Sequence, residues 1–504
     1  MQTIDLVIIF GYLIGITAFG IWYAGKQETT EDYFVGDRNV PWWAIAMSIV
    51  ATETSTITFV SVPGIAFAKN GNFQFLQLVF GYMLGRVVIS LVFIPLYFKG
   101  ELQTVYQLLG ERFGNTVKMI ASGLFVIMRN IADGIRLLLT AFVLAAVYTS
   151  FNPGTESSTV IIGSIILLGI VMIVFTFYGG IEAVIWVEVV QLVIYIGGAI
   201  AAAVVLLNNI DGGLSGAISL GQQFDKFDVF DFTLDFTKTY TFWGGLLGGC
   251  FLTMSTHGTD QYLVQRYLCT DKPASATTAL LSSGAVVLAQ FIGFLFIGVL
   301  LFVFYAPYNS ADYAQAGVAG SGVPSTFPFA KGDQVFPNFI TEHMPPGLSG
   351  LVVAAIFAAA LSSSLNSIAA TAINDLYKPF VREISDKKLL KISGWLTVII
   401  GIIQIIVAIL FMQTGESALN LAVSVPSLDN APLLGVFLVG AFLKKAREVH
   451  ALAGMLASIS LMLYILLATK IAWPWYALIG SITTLAVAWI ASLVISNRND
   501  EIPN

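Results

Sequence analysis

The stretch Ala51-Thr52-Glu53-Thr54-Ser55-Thr56-Ile57-Thr58 interrupts an apolar segment that runs from residue 42 to residue 68. One carboxylate and five hydroxyl groups in eight residues compete with the backbone for hydrogen bonds and favour a locally unwound helix. An unwound segment exposes backbone carbonyl groups that can coordinate a cation. The stretch therefore predicts a broken helix with a polar site at the break; the alternative is a Ser/Thr-rich face that packs against another helix.

The composition places this segment in a membrane protein. Of 504 residues, 57% are hydrophobic and 11% are charged, less than half of the roughly 25% charged share of soluble domains. The net charge of -6 predicts no nucleic-acid partner. Cys250 and Cys269 fit neither a disulfide framework nor a metal site. The first apolar run, from Leu6 to Ala24, lacks a basic leader and a cleavage site, so we expect it to be retained.

Thirteen apolar segments are long enough to cross a bilayer as helices. They lie near residues 4–24, 42–68, 74–98, 117–148, 158–178, 182–208, 241–268, 276–306, 347–378, 389–412, 418–443, 449–468 and 472–496, with long polar connections at 209–240 and 307–346.

The basic residues orient these spans. With the N-terminus outside, sixteen of the 24 Lys and Arg residues fall on the cytoplasmic face and five on the opposite face, while Arg86, Arg129 and Arg136 lie within spans. This asymmetry predicts an N-out, C-in protein of a bacterial inner membrane with an odd number of spans.

A second polar stretch is Met254-Ser255-Thr256-His257-Gly258-Thr259-Asp260-Gln261. It interrupts the seventh predicted span, just as the first polar stretch interrupts the second predicted span. Five spans counted from each give two halves of similar length, residues 42–208 and 241–443, within a single domain of residues 1–504. Interrupted helices at corresponding positions of two halves indicate the binding site of a transporter. His257 has two interpretations, a hydrogen-bonded packing residue or a ligand.

Charged residues inside spans are costly and by default mark pathways or sites. Arg129, Asp133 and Arg136 share one helical face, so Asp133 can pair with either arginine. The three residues form either an internal salt-bridge ladder or, through the surplus charge of Arg136, a site for an anionic solute group. The full set within spans is Glu53, Arg86, Arg129, Asp133, Arg136, Glu188, Asp260 and Asp429.

Four motifs in order resemble the sodium/solute symporter family. They are Glu31-Asp32-Tyr33-Phe34 with Pro41-Trp42-Trp43, the run from Tyr178 to Gln191, Gln261-Tyr262-Leu263-Val264-Gln265-Arg266, and Leu365-Asn366-Ser367 with Asn374-Asp375-Leu376-Tyr377-Lys378. The resemblance implies an all-α membrane protein with thirteen transmembrane helices. Its core would be a LeuT-like five-plus-five inverted repeat, with one helix before it and two after it.

The family resemblance also implies a sodium site between the first and eighth core helices. Its ligands would be the carbonyls of Ala51 and Thr54, with Ala359, Ser362 and Ser363 on the eighth core helix. Two registers remain open there: with a three-residue gap the two serines are the usual hydroxyl pair, and without it two alanines take their place. Glu188 stands where the family usually has aspartate, and this difference keeps H+ open as the coupling ion.

Resemblance to the sialic acid branch of the family implies solute contacts from Glu53, Ser55, Thr58, Phe73 and Gln77. Arg136 lies within one residue of the carboxylate-binding arginine of that branch, whereas Glu53 replaces a threonine. His257 and Gln261 of the second polar stretch complete the candidate solute residues. The solute class therefore stays open between an acidic sugar, a neutral sugar and another small organic acid.

These observations predict a sodium-coupled symporter of a small solute that works by alternating access. The nearest alternative keeps the fold and couples to protons or to nothing. The chain has no phosphate-binding loop for ATP, its three histidines are scattered, and about eight residues follow the last span. We therefore expect neither a membrane enzyme nor a sensor, with membrane lipid and the solute as partners and no obligate protein partner.

Overall fold

The computed structural model describes residues 1–23, 29–100, 102–152, 154–305, 329, 332–360, 364–381, 384–412 and 418–494. Within these ranges every regular element is a helix. Ser362, Ser363, the side chains of Ala359 and Asp429, and most of the connection 307–346 lie outside the described residues.

Helices of the first half carry the site residues that precede residue 240. Their bounds are α1 Thr3–Tyr23, α2 Thr30–Val35, α3 Trp42–Glu53, α4 Thr56–Phe67, α5 Leu76–Val92, α6 Ile94–Tyr97, α7 Tyr106–Phe113, α8 Asn115–Phe151, α9 Ser157–Asn208 and α10 Gly213–Gln223. A short 3-10 turn, Gly36–Arg38, follows α2.

The second half begins with a π-helical turn, Gly244–Gly248, that runs directly into the next helix. Its α-helices are α11 Gly249–Gly258, α12 Gln261–Leu268, α13 Pro273–Phe304, α14 Val335–Glu342, α15 Leu348–Ala360, α16 Leu365–Thr371, α17 Asp386–Met412, α18 Ala418–Phe442, α19 Glu448–Ala468 and α20 Tyr476–Val494. Further turns are Gly332–Gln334, Ala372–Tyr377, Lys378–Phe380 and Trp473–Trp475.

Eight of the described helices are long and apolar enough to cross a membrane singly. The pair α3 and α4 supplies a ninth if its two parts, bent by 61°, form one span. Shorter apolar helices lie at Ser158–Val174, Leu348–Phe357 and Asn430–Phe442. The protein is thus a multi-pass membrane protein, and the count of thirteen spans stays a prediction.

One long helix is divided by a glycine. Gly180 in α9 has φ 56° and ψ -169°, a backbone region that is essentially restricted to glycine. The break lies between the spans predicted at 158–178 and 182–208, so the two spans adjoin with almost no connecting loop.

Close packing of α5 on the π-helical turn and α11 places charged groups of two helices together. A Cβ atom on Gly81 would lie 2.3 Å from the carbonyl oxygen of Gly245, and one on Gly85 would lie 2.7 Å from that of Cys250. Small residues allow backbones to approach this closely in membranes. The approach brings Arg86 of α5 within hydrogen-bonding distance of His257 on α11.

Candidate solute and ion site

The first polar stretch is a true break in the helix. α3 ends at Glu53, Thr54 and Ser55 have extended ψ angles of 99° and 168°, and α4 begins at the next residue. The predicted carbonyl ligands Ala51 and Thr54 lie at the C-terminal end of α3. The last carbonyl groups of a helix have no intrahelical N–H partner, so they are available to a ligand. The Thr54 hydroxyl donates to Oε1 of Gln290 at 3.0 Å, which ties the break to α13.

The second polar stretch also ends a helix. α11 stops at Gly258, and Asp260 then caps α12 by accepting a hydrogen bond from the backbone N–H of Tyr262 at 2.8 Å. The structure describes α15 up to Ala360 and α16 from Leu365, and the predicted ligands Ser362 and Ser363 lie between these helices, outside the described residues. Two discontinuous segments thus supply backbone ends to one region of the molecule.

A cavity of about 810 Å³ lies between the two polar stretches and α8. Of the predicted solute residues, Glu53, Thr58, Arg136 and His257 line it. Its volume lies within the range of about 300–1,000 Å³ that small-molecule sites occupy. Its aromatic lining consists of Phe75, Tyr82, Tyr240, Tyr262, Phe291, Trp473 and Tyr476.

Glu53 is paired with Arg86 and His257. The guanidinium of Arg86 donates to Oε2 of Glu53, and Nε2 of His257 lies 3.4 Å from the same oxygen. The Arg86 side chain is 1% exposed and that of Glu53 15%. The Thr256 hydroxyl, 3.0 Å from Nδ1 of His257, orients the ring. Glu53 therefore presents a neutralised carboxylate to the cavity, suited to accept hydrogen bonds from hydroxyl groups.

Arg129 and Asp133 form a ladder that reaches two discontinuous helices. Arg129 donates to Oδ2 of Asp133 at 2.9 Å and to Oδ2 of Asp260 at 3.2 Å, and its guanidinium carbon lies 3.9 Å from the ring centroid of Tyr262. The Ser364 hydroxyl, just before α16, donates to Oδ2 of Asp133. The salt-bridge ladder considered from the sequence is therefore present. Its cation Arg129 is paired with two carboxylates, those of Asp133 and Asp260.

Arg136 faces the cavity with a weaker partner. Its NH1 group lies 3.6 Å from Oδ1 of Asp133, beyond good hydrogen-bonding distance, and its side chain is 23% exposed. Because Asp133 already binds Arg129 and Ser364, the positive charge of Arg136 is the least compensated in the ladder. A carboxylate entering the cavity would find here a planar donor group.

Glu188 is engaged on both carboxylate oxygens. Arg266 donates to Oε1 and, at 3.2 Å, to Oε2, while Ser48 donates to Oε2 and Thr52, at 3.1 Å, to Oε1. Neither Glu188 nor Arg266 is exposed. The predicted metal ligand Glu188 thus ties α3, α9 and α12 together, and a cation could reach it only in competition with Arg266.

Two predicted solute residues lie near the connection 209–240 and outside the cavity lining. The Gln77 amide donates to the carbonyls of Gln74 and Tyr240 at 3.1 and 3.4 Å and accepts from the N–H of Asp231 at 2.9 Å. Phe73 packs on Phe227 with centroids 5.4 Å apart. Both residues hold this connection against the start of α5.

The remaining two predicted solute residues are also outside the lining. Ser55 occupies the N-cap position of α4 and is buried. Gln261 accepts from the N–H of Val105 at 2.8 Å and donates to the carbonyl of Gln103 at 3.0 Å, so its amide joins α12 to the segment before α7.

Sequence reasoning missed several residues of the cavity. Trp473 and Tyr476 come from the last helical region, where no polar pattern marks a site. Arg86 was notable only as a charge inside a span; nothing in the sequence pairs it with Glu53, 33 residues earlier.

Comparison with known proteins shows to which family this chain belongs. The model of the sodium:solute symporter family matches residues 33–458. The sodium/sialic acid symporter NanT of Aliivibrio fischeri is 31% identical over 99% of this chain and 95% of its own, and SiaT of Proteus mirabilis is 29% identical over 97% and 95%. The chain belongs to the sodium:solute symporter family.

Solved structures agree with this membership. The substrate-bound, outward-open structure of a Na+-coupled sialic acid symporter superposes with a TM-score of 0.83 and 27% identity, covering 98% of both chains. Mhp1, a nucleobase-cation-symport-1 family transporter, shares the fold alone, with a TM-score of 0.55 and 14% identity over 92% of this chain and 95% of its own. As a sodium:solute symporter the protein is a transporter and not an enzyme, and Na+ is its coupling ion.

Proposed function

We propose that this symporter carries sialic acid, or a closely similar acidic sugar, together with sodium across a bacterial inner membrane. The observation that carries the proposal is the position of Arg136 in the cavity lining. Its positive charge is the least compensated in the described ladder, whereas Arg86 and Arg129 each bind a carboxylate closely. The substrate named for NanT and SiaT is sialic acid, and its carboxylate suits a guanidinium.

The rest of the cavity suits a polyhydroxylated solute. Glu53, Thr58 and His257 offer hydrogen-bonding groups to the cavity, and aromatic and aliphatic side chains line much of the remaining surface. In this proposal Arg136 binds the solute carboxylate while Glu53, Thr58 and His257 bind hydroxyl groups. Ser55, Phe73, Gln77 and Gln261 act indirectly, by holding the segments that frame the cavity.

Sodium would bind between the break after α3 and the residues that follow α15 in the sequence. Its proposed ligands are the carbonyls of Ala51, Thr54 and Ala359 and the hydroxyls of Ser362 and Ser363. Carbonyl and hydroxyl oxygens at helix breaks are the groups that coordinate such ions in discontinuous helices. Glu188 contributes charge near α3, and Arg266 would have to withdraw before Glu188 bound an ion directly.

The proposed architecture is thirteen spans in an N-out, C-in arrangement, with inverted repeats at 42–208 and 241–443. Alternating access would arise as one bundle of helices rocks against the other around the fixed site. Membrane lipid surrounds the chain in this arrangement, and a single chain holds the complete site without a protein partner.

Uptake into liposomes tests the function. Purified protein would be given labelled sialic acid or labelled glucose with a sodium gradient, a proton gradient or neither. We expect accumulation of sialic acid that requires sodium and survives collapse of the proton gradient. Accumulation driven by protons alone would contradict the coupling ion, and accumulation of glucose without sialic acid would contradict the solute class.

A further inference from the structure

A connecting segment without helix or strand, residues 228–240, exposes a row of apolar side chains. Phe230, Phe232, Leu234 and Phe236 occupy every second position and are 54%, 62%, 67% and 48% exposed. The rings of Phe230 and Phe232 stack on each other, with centroids 5.6 Å apart. A contiguous apolar surface of this kind marks a contact with a membrane or with another molecule.

The acidic residues of the segment do not interrupt this row, because they are satisfied by their neighbours. Two motifs repeat, Asp231-Phe232-Thr233 and Asp235-Phe236-Thr237. In each motif Oδ1 of the aspartate accepts from the threonine N–H, at 2.9 and 2.8 Å, and from the threonine hydroxyl, at 2.7 Å in both. Each carboxylate thus closes a local turn and leaves the phenylalanine of its motif exposed.

Hydrogen bonds fix the backbone of this segment to two spans. The N–H of Asp231 donates to Oε1 of Gln77 on α5 at 2.9 Å. The carbonyl of Phe236 accepts from the N–H of Ala472, just before the last span, at 2.7 Å. The row of exposed side chains is therefore held in place by the surrounding helices.

The ring contacts place the segment at the edge of the membrane. Phe230 packs on Phe80, the fifth residue of α5, with centroids 6.2 Å apart. Phe236 packs on Trp475, which directly precedes α20, with centroids 4.7 Å apart. Both helices belong to candidate spans. A helix rises 1.5 Å per residue, so both contacts lie within about 8 Å of the end of a span.

We propose that residues 228–240 form a membrane-surface anchor. In this anchor Phe230, Phe232, Leu234 and Phe236 insert between lipid molecules, where the acyl chains meet the headgroups. The anchor would hold the segment that binds Gln77 and the chain before the last span, and thereby the rim of the cavity.

The apolar row continues onto the surface of the next helical segment. The ring of Phe242 lies 4.9 Å from that of Phe232 and 5.2 Å from that of Trp243. Trp243 is 42% exposed, and Leu247 of the π-helical turn is 39% exposed. Trp is enriched where membrane proteins cross the interface. The row and the outer surface of this span thus form one apolar surface, which favours lipid over a separate protein partner.

The charges of the segment predict the kind of lipid contact. From residue 225 to residue 240 the charged side chains are four acids and two bases, namely Asp225, Asp228, Asp231, Asp235, Lys226 and Lys238, and Lys226 is buried. Electrostatic attachment to a membrane needs basic residues that face anionic lipid. Burial of apolar surface therefore drives the contact, and the anchor should insert into neutral phosphatidylcholine.

Fluorescence quenching in liposomes tests the anchor. Full-length protein with Phe232→Cys in a Cys250→Ala, Cys269→Ala background would carry a bimane label, in phosphatidylcholine with a nitroxide on the upper acyl chain. We expect the nitroxide to quench the label and the lipid to shield it from aqueous iodide. Lys238→Cys, at an exposed polar position of the same segment, is the matched control and should show the reverse.

Each other outcome overturns the anchor. Iodide quenching of Phe232→Cys as strong as that of Lys238→Cys, without nitroxide quenching, would mean that the row faces water. Shielding from both quenchers would mean that protein covers it. Quenching by the nitroxide only in anionic lipid would contradict apolar insertion. Leu234→Cys should behave as Phe232→Cys does, and it decides if Phe232→Cys fails to fold. The measurement involves no solute or sodium, so it does not depend on the proposed function.

Discussion

The guanidinium of Arg266 binds both carboxylate oxygens of Glu188, and neither side chain is exposed to solvent. Ser48 and Thr52 of α3 donate to the same carboxylate. The pair therefore joins the first half of a discontinuous helix to α9 and α12. A rocking motion that separates these helices has to break a buried ion pair.

Glu188→Gln should loosen this contact. Removal of one partner leaves the buried Arg266 uncompensated, which costs about 3–5 kcal/mol of stability. Cys269, three residues after Arg266 and fully buried, is a native reporter of the loosening. In a Cys250→Ala background we expect faster maleimide labelling of Cys269 in Glu188→Gln than in Glu111→Gln, a control at an exposed position. Equal labelling rates in the two variants would show that the pair does not close this region.

Replacement of Arg136 should weaken solute binding and spare the fold. Hydrogen bonds to charged groups contribute about 1.5–3 kcal/mol, so Arg136→Ala should raise the Kd of sialic acid by roughly 10- to 150-fold. Arg136→Lys should recover part of this loss, because it keeps the charge without the planar fork. Lys445→Ala, at an exposed position, is the control. Calorimetric titration at saturating sodium that gave an unchanged Kd for Arg136→Ala would remove Arg136 from the site.

The Glu53–Arg86 pair should show strong coupling in a double-mutant cycle. Glu53→Gln leaves Arg86, 1% exposed, without its carboxylate partner and should lower the melting temperature sharply. Glu53→Gln combined with Arg86→Met removes both charges and should restore much of that loss. Thermal unfolding in detergent measures the cycle. Additive effects of the two substitutions would mean that the pair contributes little.

Lys226 should stabilise the C-terminal end of α4. Its ammonium group donates to the carbonyls of Ala66 and Gly71 at 3.2 and 3.1 Å and lies 4.0 Å from the ring centroid of Phe302. Lys226→Met keeps the aliphatic stem and leaves these carbonyls unpaired, so we expect a loss of about 1–3 kcal/mol in thermal unfolding. Lys238→Met, at an exposed lysine, should change little; an equal loss in both variants would count against a specific role.

Asp37, in the 3-10 turn after α2, should make the stability of the folded protein depend on pH. Its hydrogen bond to Asp32 raises the pKa of Asp37 from 3.8 to about 6. The folded protein therefore binds a proton that the unfolded chain has released, and this stabilisation is present at low pH and lost as the pH rises through about 6. Asp37→Asn should flatten the change in melting temperature between pH 5 and 7, with a shift on the order of 1 °C because Asp37 is exposed. Asp271→Asn is the control at another exposed position, and an unchanged slope in Asp37→Asn would contradict the assignment.

Local chemistry made the breaks predictable. Hydroxyl groups around Glu53 and the glycine before Asp260 disfavour a continuous helix, and the structure interrupts both helices at those places. The spacing of Asp133 likewise predicted its two arginine neighbours. These predictions depend on residues within a few positions of one another.

Contacts between distant helices could not be predicted in the same way. Arg86 meets Glu53, and Ser364 meets Asp133, only because the helices cross at particular residues. We predicted solute contacts from Gln77 and Gln261, and these stay predictions; in the fold the two amides bind backbone groups, which the sequence did not indicate. A polar side chain in an apolar span needs a partner, and sequence alone does not identify it.

The charges around the cavity have a consequence for membrane voltage. Among the described residues of the cavity and its ion pairs, three arginines and three acids cancel: Arg86, Arg129 and Arg136 with Glu53, Asp133 and Asp260. One sodium carried with one singly charged anion would then move no net charge. Each further sodium would move one elementary charge, which gains about 2.3 kcal/mol per 100 mV. The current recorded from a supported membrane would thus report the number of ions carried per solute.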